Sequence, residues 1–407
     1  MLLLAATQGD GSLHSPVVVI VLASVLAPLL VEWLKWLRIP LVVFELLLGI
    51  AIGPHALNLV QPSGVLDFLS KIGLCFLFFM AGLELDLFKL KGPPLRLAAR
   101  AWVASLTLAL AASALLAWAG LVKSPLMISV ALCSTALGTL MPVLRERGEL
   151  KSRFGSFLLA AGGLGEFGPV LLISVLFSGS ANGWVEGLVF LGYSATIAGA
   201  GWLALQLRPP ALVALLGRTL DTSSQLPIRV CLLLIVVLAY AAHKFGLDLI
   251  LGAFGAGLMV GLATRDTATS GTLRQKLDSL SFGLFVPTFF IYSGANFDLG
   301  MLSQPQTQAQ VLLFLALFLL VRGLPTLLYR DELTARERWG LAFYSATCLP
   351  IVLAIAQIGA SSGRMLHQNA VALVGAAVLS VLIFPILADR IKGAGPAASS
   401  LPSHRSS

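Results

Sequence analysis

The chain has 407 residues, 57% of them hydrophobic and 11% charged, with a formal net charge of +8. Soluble globular proteins carry about 25% charged residues. Here apolar runs of about 20 residues, long enough to cross a hydrocarbon core, recur from residue 17 to residue 388. A soluble fold, a secreted disulfide domain and a nucleic-acid binder are excluded, and the pattern is that of an all-α polytopic membrane protein.

Residues 1–15 read as an extracytoplasmic lead-in without a basic n-region or a clear cleavage site, so no signal peptide is assigned. A transmembrane domain over 16–392 follows, with thirteen spans near 16–36, 40–55, 65–88, 97–119, 125–145, 154–178, 184–206, 227–245, 248–263, 278–298, 308–329, 337–358 and 369–389. Residues 393–407, rich in Ser, Pro and Ala, read as a disordered cytoplasmic tail. Cys75, Cys133, Cys231 and Cys348 fall inside apolar spans without metal-ligand spacing and read as buried small residues.

The loops after the odd-numbered spans 1 to 11, with the tail, hold 22 of the 27 Lys and Arg residues. The opposite loops hold Lys123, Lys244 and Arg364, and Lys71 and Arg322 lie within spans. Basic residues accumulate in cytoplasmic loops. The alternation therefore predicts thirteen spans in the cell (inner) membrane, amino end outside and carboxyl end in the cytoplasm. The positive charge is topogenic and marks no ligand.

Span 3 ends Gly82-Leu83-Glu84-Leu85-Asp86-Leu87 and span 10 ends Gly294-Ala295-Asn296-Phe297-Asp298-Leu299. The offset of 212 between them places span 1 on 8, 2 on 9, 4 on 11, 5 on 12 and 6 on 13 without a gap, and Thr135 on Thr347. It divides the domain into repeat one (16–178), a linker helix (184–206) and repeat two (227–389). An offset of seven spans turns one repeat upside down relative to the other. Inverted repeats with a binding site near the midplane are a transporter architecture.

Ionisable groups at the bilayer centre cost a few kcal/mol each, and so point to function. Glu166 lies near the middle of span 6, in Gly162-Gly163-Leu164-Gly165-Glu166-Phe167-Gly168-Pro169, and Arg322 lies at matched depth in span 11. Pairing would reduce the desolvation penalty of both. The glycines allow close helix approach, and Pro169 removes a backbone hydrogen bond one turn back. Span 5 carries Cys133-Ser134-Thr135 through Thr139 to Pro142, and span 12 carries Ser345-Ala346-Thr347-Cys348-Leu349-Pro350. Hydroxyls before a proline in both halves predict two broken helices that cross in a core domain. Their freed carbonyls and the hydroxyls of Ser134, Thr135, Ser345 and Thr347 would replace water around a small cation. Glu45, Glu84, Asp86 and Lys71 come near span ends and read as interfacial anchors or partners of loop charges.

The chain resembles the monovalent cation:proton antiporter-2 family, the Kef-like and bacterial sodium/proton antiporter group. The resemblance rests on Phe44-Glu45-Leu46-Leu47-Leu48-Gly49-Ile50-Ala51-Ile52-Gly53-Pro54, Gly82-Leu83-Glu84-Leu85-Asp86, Ser134-Thr135-Ala136 with Pro142 to Gly148, and Pro287-Thr288-Phe289-Phe290. It implies a homodimer in which spans 4, 5, 6, 11, 12 and 13 form a mobile core and the others a dimerisation scaffold. Members usually carry Asp-Asp, Asn-Asp or Gln-Asp in the helix matching span 6; this chain has Gly165-Glu166. The acid carries over as Glu166, Arg322 matches the family's core Lys or Arg, and the Kef branch's regulatory nucleotide-binding domain is not found after Ile391. The expected activity is secondary transport, exchange of Na⁺ or K⁺ for protons by competition at Glu166, electroneutral, with no enzymatic step, cofactor or nucleic acid, and with membrane lipid as the surroundings. An organic-anion transporter on a related fold and a non-transporting membrane sensor or assembly protein are the other readings.

Overall fold

The computed structural model describes residues 15–34, 39–84, 92–138, 152–176, 218–245, 247–264 and 270–392, with Leu140, Glu149, Gly192, Ala195 and Gly199 between them. Residues 1–14, Asp86, Thr139, 141–148, the tail, and all but three residues of the linker span lie outside the described residues.

Repeat one contributes α1 (Ser15–Trp33), α2 (Leu41–Ile52), α3 (Gly64–Glu84), α4 (Pro93–Trp118), α5 (Pro125–Leu132) and α6 (Arg153–Leu176). Repeat two contributes α7 (Leu226–Lys244), α8 (Leu249–Thr264), α9 (Ser270–Leu280) joined by a π turn, Ser281–Phe285, to α10 (Val286–Ala295), then α11 (Pro305–Gly323), α12 (Ala335–Ser345), α13 (Pro350–Ser361) and α14 (His367–Lys392). Adding 212 to each helix of repeat one lands on its counterpart. α5 ends at Leu132 and α12 at Ser345, so even the helix breaks correspond. Prolines in the first turn start α4, α5, α11 and α13, where a missing N–H costs nothing. Thr334 and Glu337 form a reciprocal cap at the start of α12.

Among the described residues, eight helical segments are long and apolar enough to cross a membrane, and Leu41–Ile52 and Leu249–Thr264 are shorter apolar helices. With the broken span 5 and the π-interrupted span 10, every expected span except the linker has its counterpart. Ala335–Ser361, the second broken span, is 89% buried, whereas Pro16–Trp33 is 17% buried. The broken helix is innermost, and α1 turns Leu22, Val25 and Leu29 outward.

The helices pack as two groups. In one, α3 packs on α8 and α2 on α10, so each repeat's second helix meets the other repeat's third. The shared glycine of the two span-end motifs makes these crossings possible. A Cβ on Gly82 would lie 2.3 Å from the Phe254 carbonyl oxygen, and one on Gly294 would lie 2.1 Å from that of Leu46. The motif found in both repeats is thus a helix-contact motif. In the other group α4, α5 and α6 pack on one another, α11, α12 and α14 repeat that arrangement, and α13 bridges α5, α6 and α14. The groups meet where α6 lies on α8, with the Phe167 and Phe254 rings 5.3 Å apart, and where Gln357 Nε2 of α13 donates to Ser293 Oγ of α10 at 2.6 Å.

Glu84 is ion-paired with Arg274, and Lys71 with Asp67 at 2.7 Å, as expected of residues near span ends. Glu45 corrects its expected place: it is 2% exposed inside α2, because α2 is sandwiched between α1 and α10 and has little free surface at that turn.

Candidate functional site

The site is built by three backbone irregularities brought to one level. The first is the break in span 5. Cys133 to Ala136 are not helical, and helix resumes at Leu137. Side chains hold the end of α5 open: Ser134 Oγ donates to the Ala131 carbonyl at 2.8 Å and Cys133 Sγ to that of Val130 at 3.4 Å. Such local bonds compete with continuation of the helix. Pro142 is therefore not the breaker; the chain leaves the helix well before it. In span 12 the expectation is met more directly, since Pro350 is the first residue of the resumed helix.

The second irregularity is Pro169 within α6. Lacking an N–H, it leaves the carbonyl four residues earlier, that of Gly165, without its helical donor. Thr135 N–H donates to that carbonyl at 2.9 Å. The third is the second break, where Ala136 N–H donates to the Thr347 carbonyl at 2.8 Å and Thr135 Oγ1 to the Ser345 carbonyl at 2.6 Å. The two broken helices therefore cross at Thr135–Ala136 and Ser345–Thr347, tied to each other and to α6. Thr347 Oγ1 donates to the Phe343 carbonyl at 3.1 Å, and the Cys348 N–H donates to Ser380 Oγ of α14 at 3.1 Å. Ser380 was not singled out from the sequence; its signal was a mid-span hydroxyl at the place where repeat one has Gly168.

Glu166 lies beside the first break, with its carboxylate near the Leu137 backbone N–H. Leu137 is the first helical residue after the break. Glu166 is partly exposed, whereas Ser134, Thr135 and Thr347 are fully buried.

The expected pairing of Glu166 with Arg322 is not made in this conformation. The Arg322 guanidinium donates from Nε to the Ser345 carbonyl at 3.3 Å, from Nη1 to Ser105 Oγ at 3.3 Å and from Nη2 to the Ala161 carbonyl at 3.2 Å. Among the described residues no carboxylate lies within ion-pair distance of it. The reason is angular. Arg322 approaches α6 on the Ala161–Gly165 face, and the next residue, Glu166, projects about 100° further round the helix. A Cβ on Gly165 would lie 2.6 Å from Arg322 Nη2 and 2.5 Å from Thr135 Oγ1. The glycine that departs from the usual family pair is what admits the guanidinium and the threonine to the helix surface. Ser345 contributes its carbonyl to the crossing, while its buried hydroxyl has no hydrogen-bond partner among the described residues.

The sequence profile described as the transmembrane sodium/hydrogen exchanger family matches residues 20–389. The chain belongs to that family. YjbQ of Bacillus subtilis is 28% identical over 389 residues, covering 91% of this chain and 61% of the relative, so this chain spans less than two thirds of that protein. The Na⁺/H⁺-K⁺ antiporter GerN of Bacillus cereus is 27% identical, covering 85% of this chain and 88% of GerN. Among solved structures, the sodium proton antiporter MjNhaP1 of Methanocaldococcus jannaschii superposes with a TM-score of 0.67 at 18% identity, covering 92% of this chain and 96% of that one. That likeness speaks for the fold: this exchanger-family chain has the inverted-repeat, crossed-helix architecture expected from its sequence. It is a multi-pass membrane protein of a transporter family.

Proposed function

We propose that the chain is a secondary active transporter of the inner membrane that exchanges Na⁺ or K⁺ for protons at Glu166, one for one. The observation that carries this reading is the placement of Glu166. Glu166 is a half-buried residue beside the helix crossing, on an element where the two helix groups meet. The names of the relatives support the same class of activity.

Glu166 takes a proton or a cation, never both. Both loaded forms neutralise the carboxylate, so the loaded core crosses and the bare anionic one does not. The carbonyls freed at the two breaks, with the hydroxyls of Ser134, Thr135, Ser345 and Thr347, replace water around the cation. Arg322 keeps its proton throughout, because arginine does not deprotonate in proteins. Gly165 has no side chain to titrate. With a single titrating group, each cycle moves one cation against one proton and no net charge. The α4–α6 and α11–α14 group moves as the core, and the other group holds a second copy of the chain in a homodimer.

The test is a cation-induced pH change in proteoliposomes. Glu166→Gln is expected to abolish the response to Na⁺, K⁺ and Li⁺, with Glu166→Asp retaining part of it. A full response from Glu166→Gln would remove this carboxylate from the mechanism.

A further inference from the structure

Two side chains join the helix groups by a direct hydrogen bond, from Gln357 Nε2 of α13 to Ser293 Oγ of α10 at 2.6 Å. Ser293 is 5% exposed and every residue of α10 is buried, so little water competes for the bond. Each partner sits on a firmly placed part of its group. Gly294, the neighbour of Ser293, is the close approach of α10 to α2, where the Leu46 carbonyl oxygen leaves no room for a Cβ. Gln357 lies about two turns beyond Pro350, on the half-helix that resumes after the second break.

The bond also has a place along the membrane normal. α10 and α13 both end within about a turn of it, at the face that the distribution of basic residues assigns to the outside. The repeat supplies no equivalent pair for the other face. The offset of 212 maps Ser293 onto Ala81 and Gln357 onto Arg145, which lies outside the described residues. When inverted repeats exchange conformations, counterpart residues take each other's places at the opposite face. Ala81 then stands there as Ser293 stands here, and a methyl group neither donates nor accepts.

We propose that Gln357 and Ser293 form a latch on the outer face, made in the access state closed to the outside and broken in the state open to it. Its one-sidedness biases the equilibrium toward the closed state. The inference rests on the exchange reading, in which the α4–α6 and α11–α14 group moves against the other. A net hydrogen bond present in one state alone shifts the ratio of the two about fivefold. Neither residue carries the ion. Both are positioning residues, acting by where they hold α13, and with it the second break, against α10.

The test reads the separation of the two groups by double electron–electron resonance on the full chain in proteoliposomes. Spin labels are carried on ketone-bearing residues placed at Gln61 and Ser361, exposed positions near the outer ends of α2 and α13, which leaves the native cysteines untouched. Gln357→Leu or Ser293→Ala is expected to raise the longer, open-state distance population about fivefold relative to the shorter one. The double variant is expected to go no further, because both changes delete the same bond. In exchange assays the same variants are expected to lower the KM for cation presented at the outer face, by up to about fivefold. Unchanged distance populations, or a double variant whose shift is the sum of the two, would overturn the latch. So would a fall in maximal rate at constant KM, the mark of a merely structural role. Distances are read without transport, so populations that shift in a chain exchanging no cation would sink the exchange reading and keep the latch.

Discussion

At the scale of single residues, Gly165 and Thr135 set the geometry around the acid. A methyl group at position 165 has no room, since Arg322 Nη2 and Thr135 Oγ1 would both lie within 2.6 Å of it. Overpacking of this kind costs about 1–3 kcal/mol. Gly165→Ala is therefore expected to lower Tm and slow exchange; a variant with unchanged rate and Tm would show that Arg322 need not touch α6. Thr135→Val keeps the shape but removes the donor to the Ser345 carbonyl, a loss of about 1 kcal/mol, measurable by thermal unfolding. Asp298, in the loop after α10, is held below the ordinary carboxylate range, first by the Met301 N–H it accepts at 2.9 Å, with His367 Nε2 3.5 Å away. A depressed folded-state pKa means stability that is present above the unfolded value and lost as pH falls through the folded one. Asp298→Asn should flatten the acid limb of a Tm-against-pH curve, and an unaltered slope would contradict this. The candidate acid was legible from the sequence because one carboxylate in the middle of an apolar span stands out. The fate of Arg322 was not, because matched depth says nothing of the angle at which a side chain meets a helix.

At the scale of elements, the repeat was readable because a constant offset of 212 carries helix starts, stops and breaks together. The place of the first break was less readable. A proline is a visible signal, while the break is made by hydroxyl and thiol side chains that bond back to their own helix. Pro169 acts through what it omits, by leaving the Gly165 carbonyl to Thr135. Pro169→Ala supplies a competing N–H four residues from that carbonyl. Helix stability should be retained or rise, since proline inside a helix costs about 3 kcal/mol, while exchange slows. Undiminished exchange would mean that the tie between α6 and the first break is dispensable.

At the scale of the whole molecule, the architecture separates a group built around the crossing from a group held together by α3 on α8 and α2 on α10, with contacts that include α6 on α8 and Gln357 of α13 on Ser293 of α10. Composition and hydropathy were enough to specify the spans, because lipid tolerates few arrangements of a polar backbone. They did not specify which helices face which, and that is what puts Glu166 at the boundary between the groups. One titrating acid predicts exchange without net charge movement, so a voltage-sensitive dye in proteoliposomes should stay silent while the internal pH changes. The most direct test of the account is the pH dependence of the apparent KM for Na⁺ or K⁺ in the same vesicles. Competition for Glu166 predicts that KM rises as pH falls, approaching about tenfold per pH unit once the acid is mostly protonated, with the maximal rate unchanged. A KM that stays constant while the maximal rate falls would show that proton and cation do not share this carboxylate.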